Sequence, residues 1–403
     1  MEKLNYKKTF LLGFGFFAIA ITWSVYNAFM PILLGKYIVS SALIGFIMTV
    51  DNYLALFIQP AVGIFSDRID TKFGKRMPFL MVGMPLAIVF TFLISKHTSL
   101  ATLILFLLLM NLSMSLFRSP VIALMPDLTH EKNRSKANSI INFMGGIGSL
   151  IAFFIGSILW GFSSSYPFYL ASFLMLVSFV ILFIFIKEKR DVLQYKTSEE
   201  KIHIFKGLSN GLKNKNTRLL LFAVCSWFIG YNGIETFFTR YGEKFLGVLP
   251  NVASMSFSFM SLSFLAFAIP AGIVGTKIGK KKAITLGISG LILVFLVLAN
   301  LRSILFIRIA FLFAGFFWAM ININSYPFVA EMAPAGYIGT YTGLYYLFSS
   351  IAAIISPPLL GAIMDTIGYK FMFYYGSVFF ILAFFFINMV KSEKQNHVNT
   401  LNS

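Results

Sequence analysis

Twelve stretches of about twenty mostly apolar residues follow one another along these 403 residues, and that repetition limits the fold more than anything else in the chain. A helix rises 1.5 Å per residue, so about twenty apolar residues cross a hydrocarbon core of ~30 Å. The stretches are Thr9–Leu34, Ala42–Phe65, Pro78–Ile94, Leu100–Val121, Ala137–Trp160, Phe168–Ile186, Arg218–Thr239, Ala253–Val274, Ala283–Ala299, Ile304–Ala330, Tyr337–Ile363 and Phe371–Val390. The chain is 58% hydrophobic and 12% charged, more apolar than a soluble protein of this length can hide. Inside lipid every backbone polar group must be satisfied within the spanning element. The expected class is therefore an all-α integral membrane protein of about 12 transmembrane helices. The first stretch is too long for a cleavable signal, and no small-residue cleavage site follows it.

The net charge of +18 would point to nucleic acid in a soluble protein. Here it follows from topology, because basic residues collect on cytoplasmic loops. Lys3, Lys7 and Lys8, the run Arg68 to Arg76, Lys132, Arg134 and Lys136, the stretch Lys187–Lys215, Lys277–Lys282, and Lys391 with Lys394 all fall on one side. Lys36, Lys96, Arg240, Lys244, Arg302 and Lys370 are the few on the other. This predicts a multi-pass protein of the cell membrane with both termini cytoplasmic and no nucleic-acid partner. The single cysteine, Cys225, lies inside an apolar run, and four scattered histidines offer no metal cluster. No P-loop, HExxH motif or nucleophile with a credible base is present, which argues against an enzyme and against any cofactor.

The two halves repeat. Trp23 and Tyr26-Asn27 in span 1 are echoed by Trp227 and Tyr231-Asn232 in span 7. Gln59-Pro60 with Gly63 is echoed by Ile269-Pro270 with Gly272, and Gly74-Lys75-Arg76 by Gly279-Lys280-Lys281. Ser119-Pro120 with Ala123 returns as Tyr326-Pro327 with Ala330. This predicts two pseudo-symmetric six-helix bundles, residues 1–186 and 218–390. A polar cytoplasmic linker at 187–217 joins them, with some helix around Ile202–Leu212, and a tail follows at 391–403. Such repeats place a substrate site near the midplane.

This pattern resembles the major facilitator superfamily across essentially the whole chain. Within it, Gln59-Pro60-Ala-Val-Gly63-Ile-Phe-Ser66-Asp67-Arg68, then Phe73-Gly74-Lys75-Arg76-Met-Pro78-Phe79, resembles the sucrose/proton symporters and their bacterial relatives. Pro120 and the run Ala123-Leu124-Met125-Pro126-Asp127-Leu128 resemble the same family, and the glycoside–pentoside–hexuronide symporters are more distant. The resemblance implies a secondary transporter, a small-molecule substrate, a coupling ion and a monomer in lipid. Two departures bear on coupling: Asn111 stands where the sucrose symporters carry a span 4 aspartate, and Ala55 and Gln59 stand where the sodium-coupled relatives carry paired aspartates.

The fifteen acidic residues can be sorted one by one. Asp51 lies near the middle of span 2, Glu235 in the outer third of span 7, and Glu331 closes span 10. A charge at bilayer depth costs about 2.5–3.5 kcal/mol on insertion scales, so it normally faces a partner or a watery cavity. Asp51 and Glu235 are the candidate proton carriers; the alternative for Asp51 is an acid fixed to a neighbouring helix. Arg308, near the outer end of span 10, either pairs with Glu235, helps bind substrate, or snorkels to headgroups. Arg118, Glu331, Asp67, Arg68 and Arg76, with Gly63 and Gly74, form the expected cytoplasmic gate, or else a positive-inside anchor.

Sugar recognition needs flat aromatic faces and amides. Spans 1, 4, 7 and 10 supply Trp23, Tyr26, Asn27, Asn111, Trp227, Tyr231, Asn232, Trp318, Asn322, Asn324 and Tyr326. Each aromatic also has a packing or interfacial reading. With no ATPase motif, energy must come from an ion gradient or the substrate's own. The expected function is proton-coupled uptake of a sugar or glycoside. Proton-coupled efflux of drugs or metabolites, and uncoupled uniport, are the alternatives.

Overall fold

The computed structural model describes residues 4–130, 133–188, 212–334 and 337–391. Most of the expected linker, including nearly all of the helix expected around Ile202–Leu212, lies outside them, as does all but the first residue of the tail. The regular structure among the described residues is helical, apart from an isolated bridge at Thr71 and Gly74. Among the described residues, twelve helices are long and apolar enough to span a membrane. They are α1 Tyr6–Leu34, α2 Ser41–Arg68, α3 Met77–Ile94, α4 Leu100–Leu128, α5 Arg134–Phe162, α6 Tyr166–Phe185, α7 Lys215–Leu246, α8 Pro250–Ile278, α9 Lys280–Leu298, α10 Ile304–Glu331, α11 Ile338–Thr366 and α12 Met372–Met389.

Most match an expected span and run longer, because a helix does not stop where its apolar residues do. Asn5 caps α1 by accepting the Lys8 N–H at 3.0 Å, so the helix begins before its apolar run. Ser99 and Thr102 cap α4 reciprocally. Two spans are interrupted. α2 breaks at Thr49 into Ser41–Met48 and Val50–Arg68. α7 ends in a π-turn, Gly242–Leu246.

The described residues form two compact units. One holds those through Glu188 with Thr236–Ser261; the other holds those from 212 to Glu235 with Leu262 onward. Besides the step from Glu188 to residue 212, boundaries fall within α7, after Glu235, and within α8, after Ser261. In the first unit α1 packs on α5 and α6, α3 on α4 and α6, and α2 on α4. In the second, α9 packs on α10 and α12. The α3–α4 and α9–α10 pairs share a device. At Gly83 a Cβ would stand 3.1 Å from the Ser113 carbonyl, and at Gly287 one would stand 2.7 Å from that of Phe317, so each backbone crosses its neighbour closely. Large apolar side chains such as Phe57, Phe173, Leu293 and Phe385 are exposed, as helices facing lipid require.

Candidate functional site

Three groups of residues answer to the sequence expectations. The first surrounds the break in α2. With the helix interrupted at Thr49, the Met48 carbonyl turns to accept the Tyr26 hydroxyl of α1 at 3.2 Å. Asp51 follows at the second residue of the lower segment, and its Oδ1 accepts the Asn52 side-chain amide at 2.9 Å. Asp51 lies within electrostatic reach of Arg118 on α4 and of Tyr26. Asn111, two turns before Arg118 on the same face of α4, is fully buried. Its amide faces the Tyr26 hydroxyl but falls outside hydrogen-bond geometry, so neither amide atom has a partner among the described residues. Trp23 meets Tyr26 edge to face at 5.4 Å, and its buried indole N–H is likewise unpartnered. Asn27 is half-buried beside them. A carboxylate, a guanidinium and an amide with open valences thus gather where α2 is broken. Arg118, expected in the gate, also lies within electrostatic reach of Asp51.

The second group is aromatic and lies in the second unit. Tyr231 of α7 stacks on Trp318 of α10 with centroids 4.0 Å apart and planes within 4°. Phe228 stands edge-on to Trp318 at 5.8 Å and to Tyr345 of α11 at 6.3 Å. Tyr326 contacts Tyr345 and Tyr346, and its hydroxyl lies 3.2 Å from that of Thr342. Glu235 is one turn beyond Tyr231 and close enough to act on it electrostatically. Asn232 and Asn322 are half-buried, and Arg308 is half-buried in the second turn of α10. Trp227 is fully enclosed, its N–H without a partner. Asn324 is different in kind. Its amide donates to Ala271 of α8 at 3.1 Å and to Met320 at 2.9 Å, clasping α10 to α8. Gly275 leaves it room, since a Cβ there would overlap the amide.

The third group lies where α2 turns into α3. Arg76, 8% exposed, donates from Nε to Asp127 at the end of α4 at 3.0 Å. It also pairs with Asp67, bonds Ser66, and reaches the Gly63 carbonyl at 3.4 Å. Burial works against its charge, but Asp127 and then Asp67 outweigh that and hold the guanidinium above its ordinary pKa. Gly63 lets α2 approach α4, a Cβ there standing 3.2 Å from Ser119 Oγ. Of the expected gate, Arg68 is exposed and Glu331 pairs with Lys280 in the other unit.

Sequence reasoning missed Glu188. Its carboxylate is buried and accepts the backbone N–H groups of Lys75, Arg76 and Met77 at 2.8, 2.8 and 2.9 Å, capping α3. The one signal was its place, two residues beyond the last apolar residue of span 6.

The Major Facilitator Superfamily model matches residues 12–357 and 246–401, so the chain belongs to that family of membrane transporters. It is similar to the multidrug resistance protein 2 of Bacillus subtilis (strain 168), with 23% identity over 96% of this chain and 94% of that one. A sucrose transport protein of Arabidopsis thaliana is 27% identical over 30% of this chain and 24% of its own length. Among solved structures, the nucleoside transporter NupG superposes with a TM-score of 0.73 at 17% identity, covering 96% of this chain and all of that one (100%). A bacterial homologue of the human lysosomal transporter Spinster superposes with a TM-score of 0.74 at 14% identity, covering 96% and 97%. By its membership of that family, this chain is a transporter rather than an enzyme.

Proposed function

We propose that this protein is a cell-membrane carrier, monomeric and with both termini cytoplasmic, that takes up a sugar or glycoside together with protons by alternating access. The observation that carries the reading is the group at the α2 break: Asp51, Arg118 and the unpartnered Asn111 amide. A carboxylate beside a guanidinium inside a membrane can exchange a proton for its ion pair as access alternates. An amide with both donor and acceptor open suits vicinal hydroxyls, which offer one of each. Trp23 supplies an aromatic face for ring C–H groups in the first unit, and the Tyr231–Trp318 stack supplies one in the second. Arg76 with Asp67 and Asp127 is the ion-pair set whose breakage opens the cytoplasmic side. The partial similarity to a sucrose transport protein agrees with this reading.

A second reading, proton-coupled efflux of amphipathic compounds, is favoured by the full-length similarity to a multidrug resistance protein. Both are separated by uptake of radiolabelled mono- and disaccharides into proteoliposomes under an inside-negative, outside-acid gradient, comparing the parent with Asp51→Asn. Gradient-driven accumulation that Asp51→Asn abolishes, with counterflow of preloaded sugar retained, is the expected result. Transport of no sugar under any gradient would overturn the sugar assignment. Accumulation unaffected by Asp51→Asn would move coupling to Glu235.

A further inference from the structure

Beside the Arg76 cluster, between the start of α3 and the end of α6, lies a cavity of about 300 Å³. Lys72, Phe73, Phe183 and Lys187 are among the residues that line it. The two rings are 6.4 Å apart, and each lies under one ammonium: Lys72 is 5.1 Å from the Phe73 centroid and Lys187 is 5.6 Å from that of Phe183. Lys187 also donates to the Phe183 carbonyl at 3.2 Å, which fixes it at the end of α6. Neither ammonium meets a carboxylate among the described residues. Glu188 borders the cavity, but its oxygens are taken up by three backbone N–H groups.

The setting narrows the ligand. The cavity opens at the ends of two helices long and apolar enough to span a membrane, where phospholipid headgroups are to be expected. Among the described residues it offers two cations without counter-ions beside two aromatic rings, and Ile184 and Phe185 are exposed next to Phe183. A soluble anion would use the ammoniums and waste the rings; a neutral lipid would do the reverse. We propose that the cavity holds the headgroup phosphate of an anionic phospholipid between Lys72 and Lys187, with an acyl chain running along Phe183. The lysines then act at one bound lipid rather than as a diffuse positive belt.

Native mass spectrometry of the full chain with phosphatidylglycerol and phosphatidylcholine of matched acyl chains tests this. A lysine at an anionic surface contributes on the order of fivefold, so Lys72→Gln and Lys187→Gln should each weaken retention of phosphatidylglycerol about fivefold and the pair about thirtyfold. Retention of phosphatidylcholine should be unchanged, which also reports that the variants are folded. Lys75→Gln with Lys136→Gln removes two exposed lysines of the same unit and should leave retention intact. Equal losses in that control would reduce the site to general surface charge and overturn the proposal. So would displacement of the lipid by soluble glycerol phosphate at equal concentration, which would make it a free-phosphate site.

Discussion

Glu188 gives the most demanding test of the fold. Its carboxylate closes three backbone donors at the start of α3, and the residue is 1% exposed. A hydrogen bond to a charged group contributes about 1.5–3 kcal/mol, and a buried donor left open costs about 1–3 kcal/mol. A carboxylate at a helix N-terminus adds a favourable dipole interaction of about 0.3–1 kcal/mol or more when buried. The three bonds share two oxygens, so their sum overstates the total. Glu188→Leu, leaving the buried Arg76 and Met77 donors open, should cost about 3–6 kcal/mol. Glu188→Gln keeps one acceptor but turns its NH2 toward a donor, and should cost about 2–3 kcal/mol. At about 2–4 °C per kcal/mol for a unit of this size, the thermal midpoint should fall by roughly 6 °C or more for Leu and about half that for Gln. Tryptophan fluorescence of the protein in nanodiscs measures the midpoint. Hydrogen exchange of the peptide covering Lys72 to Leu80 measures whether its amides open first. A Leu variant that melts within about 1 °C of the parent, with no faster exchange in that peptide, would show that the cap contributes nothing and sink the argument.

Three further outcomes follow from the same geometry. Gly74 and Gly279 hold φ of +110° and +91°, but only at Gly74 would a Cβ strike Glu188, while nothing stands within 4 Å of one at Gly279. Thermal melts should therefore show Gly279→Ala costing the backbone strain alone, about 1–3 kcal/mol, and Gly74→Ala costing measurably more. Arg76→Lys keeps the charge but cannot reach Asp127, Asp67 and Ser66 together. A double-mutant cycle with Asp127→Asn should return a coupling of about 1–3 kcal/mol, and additivity would refute the ion pair. Gly275→Ala should destabilise the parent but be tolerated alongside Asn324→Ala, since the clash is with that amide; equal losses in both backgrounds would refute the clasp.

How much of this was legible in the sequence depended on what each signal measured. Span number and rough position followed from run length, which the bilayer fixes. Helix ends did not, because caps such as Asn5 and Ser99 lie outside the apolar runs. Asp67, Arg76 and Asp127 all lie in family-like motifs, but nothing in the sequence joins Asp127, at the end of span 4, to the other two. Arg118 was read by its distance from the end of span 4. Its neighbour Asp51 is fixed instead by the interruption at Thr49, which nothing in the composition announces. Asn324 shows the limit most sharply. An amide inside a span reads alike whether it awaits a ligand or bonds the next helix, and here it bonds Ala271 and Met320. Tyr345 and Tyr346 lie outside the four spans expected to supply aromatic faces, yet α11 brings them against Tyr326.

The internal repeat preserves geometry and lets charge vary. Each unit must join a sharp glycine turn to the end of its last helix. In the first, Glu188, just beyond α6, reaches back to the open N–H groups at the start of α3. In the second, the charge sits on the other partner: Lys281, in the first turn of α9, donates to the carbonyls of Asn388 at 3.2 Å and Val390 at 2.6 Å, at the end of α12. Both solutions obey one rule, a negative group at a helix N-terminus or a positive group at a C-terminus. They place the fixed charge on opposite elements, so alignment of the halves pairs Arg76 with Lys281 and finds no counterpart of Glu188. The glycines are common to both turns because backbone shape there admits few alternatives. Helix ends can be satisfied from either side, so the charges need not match.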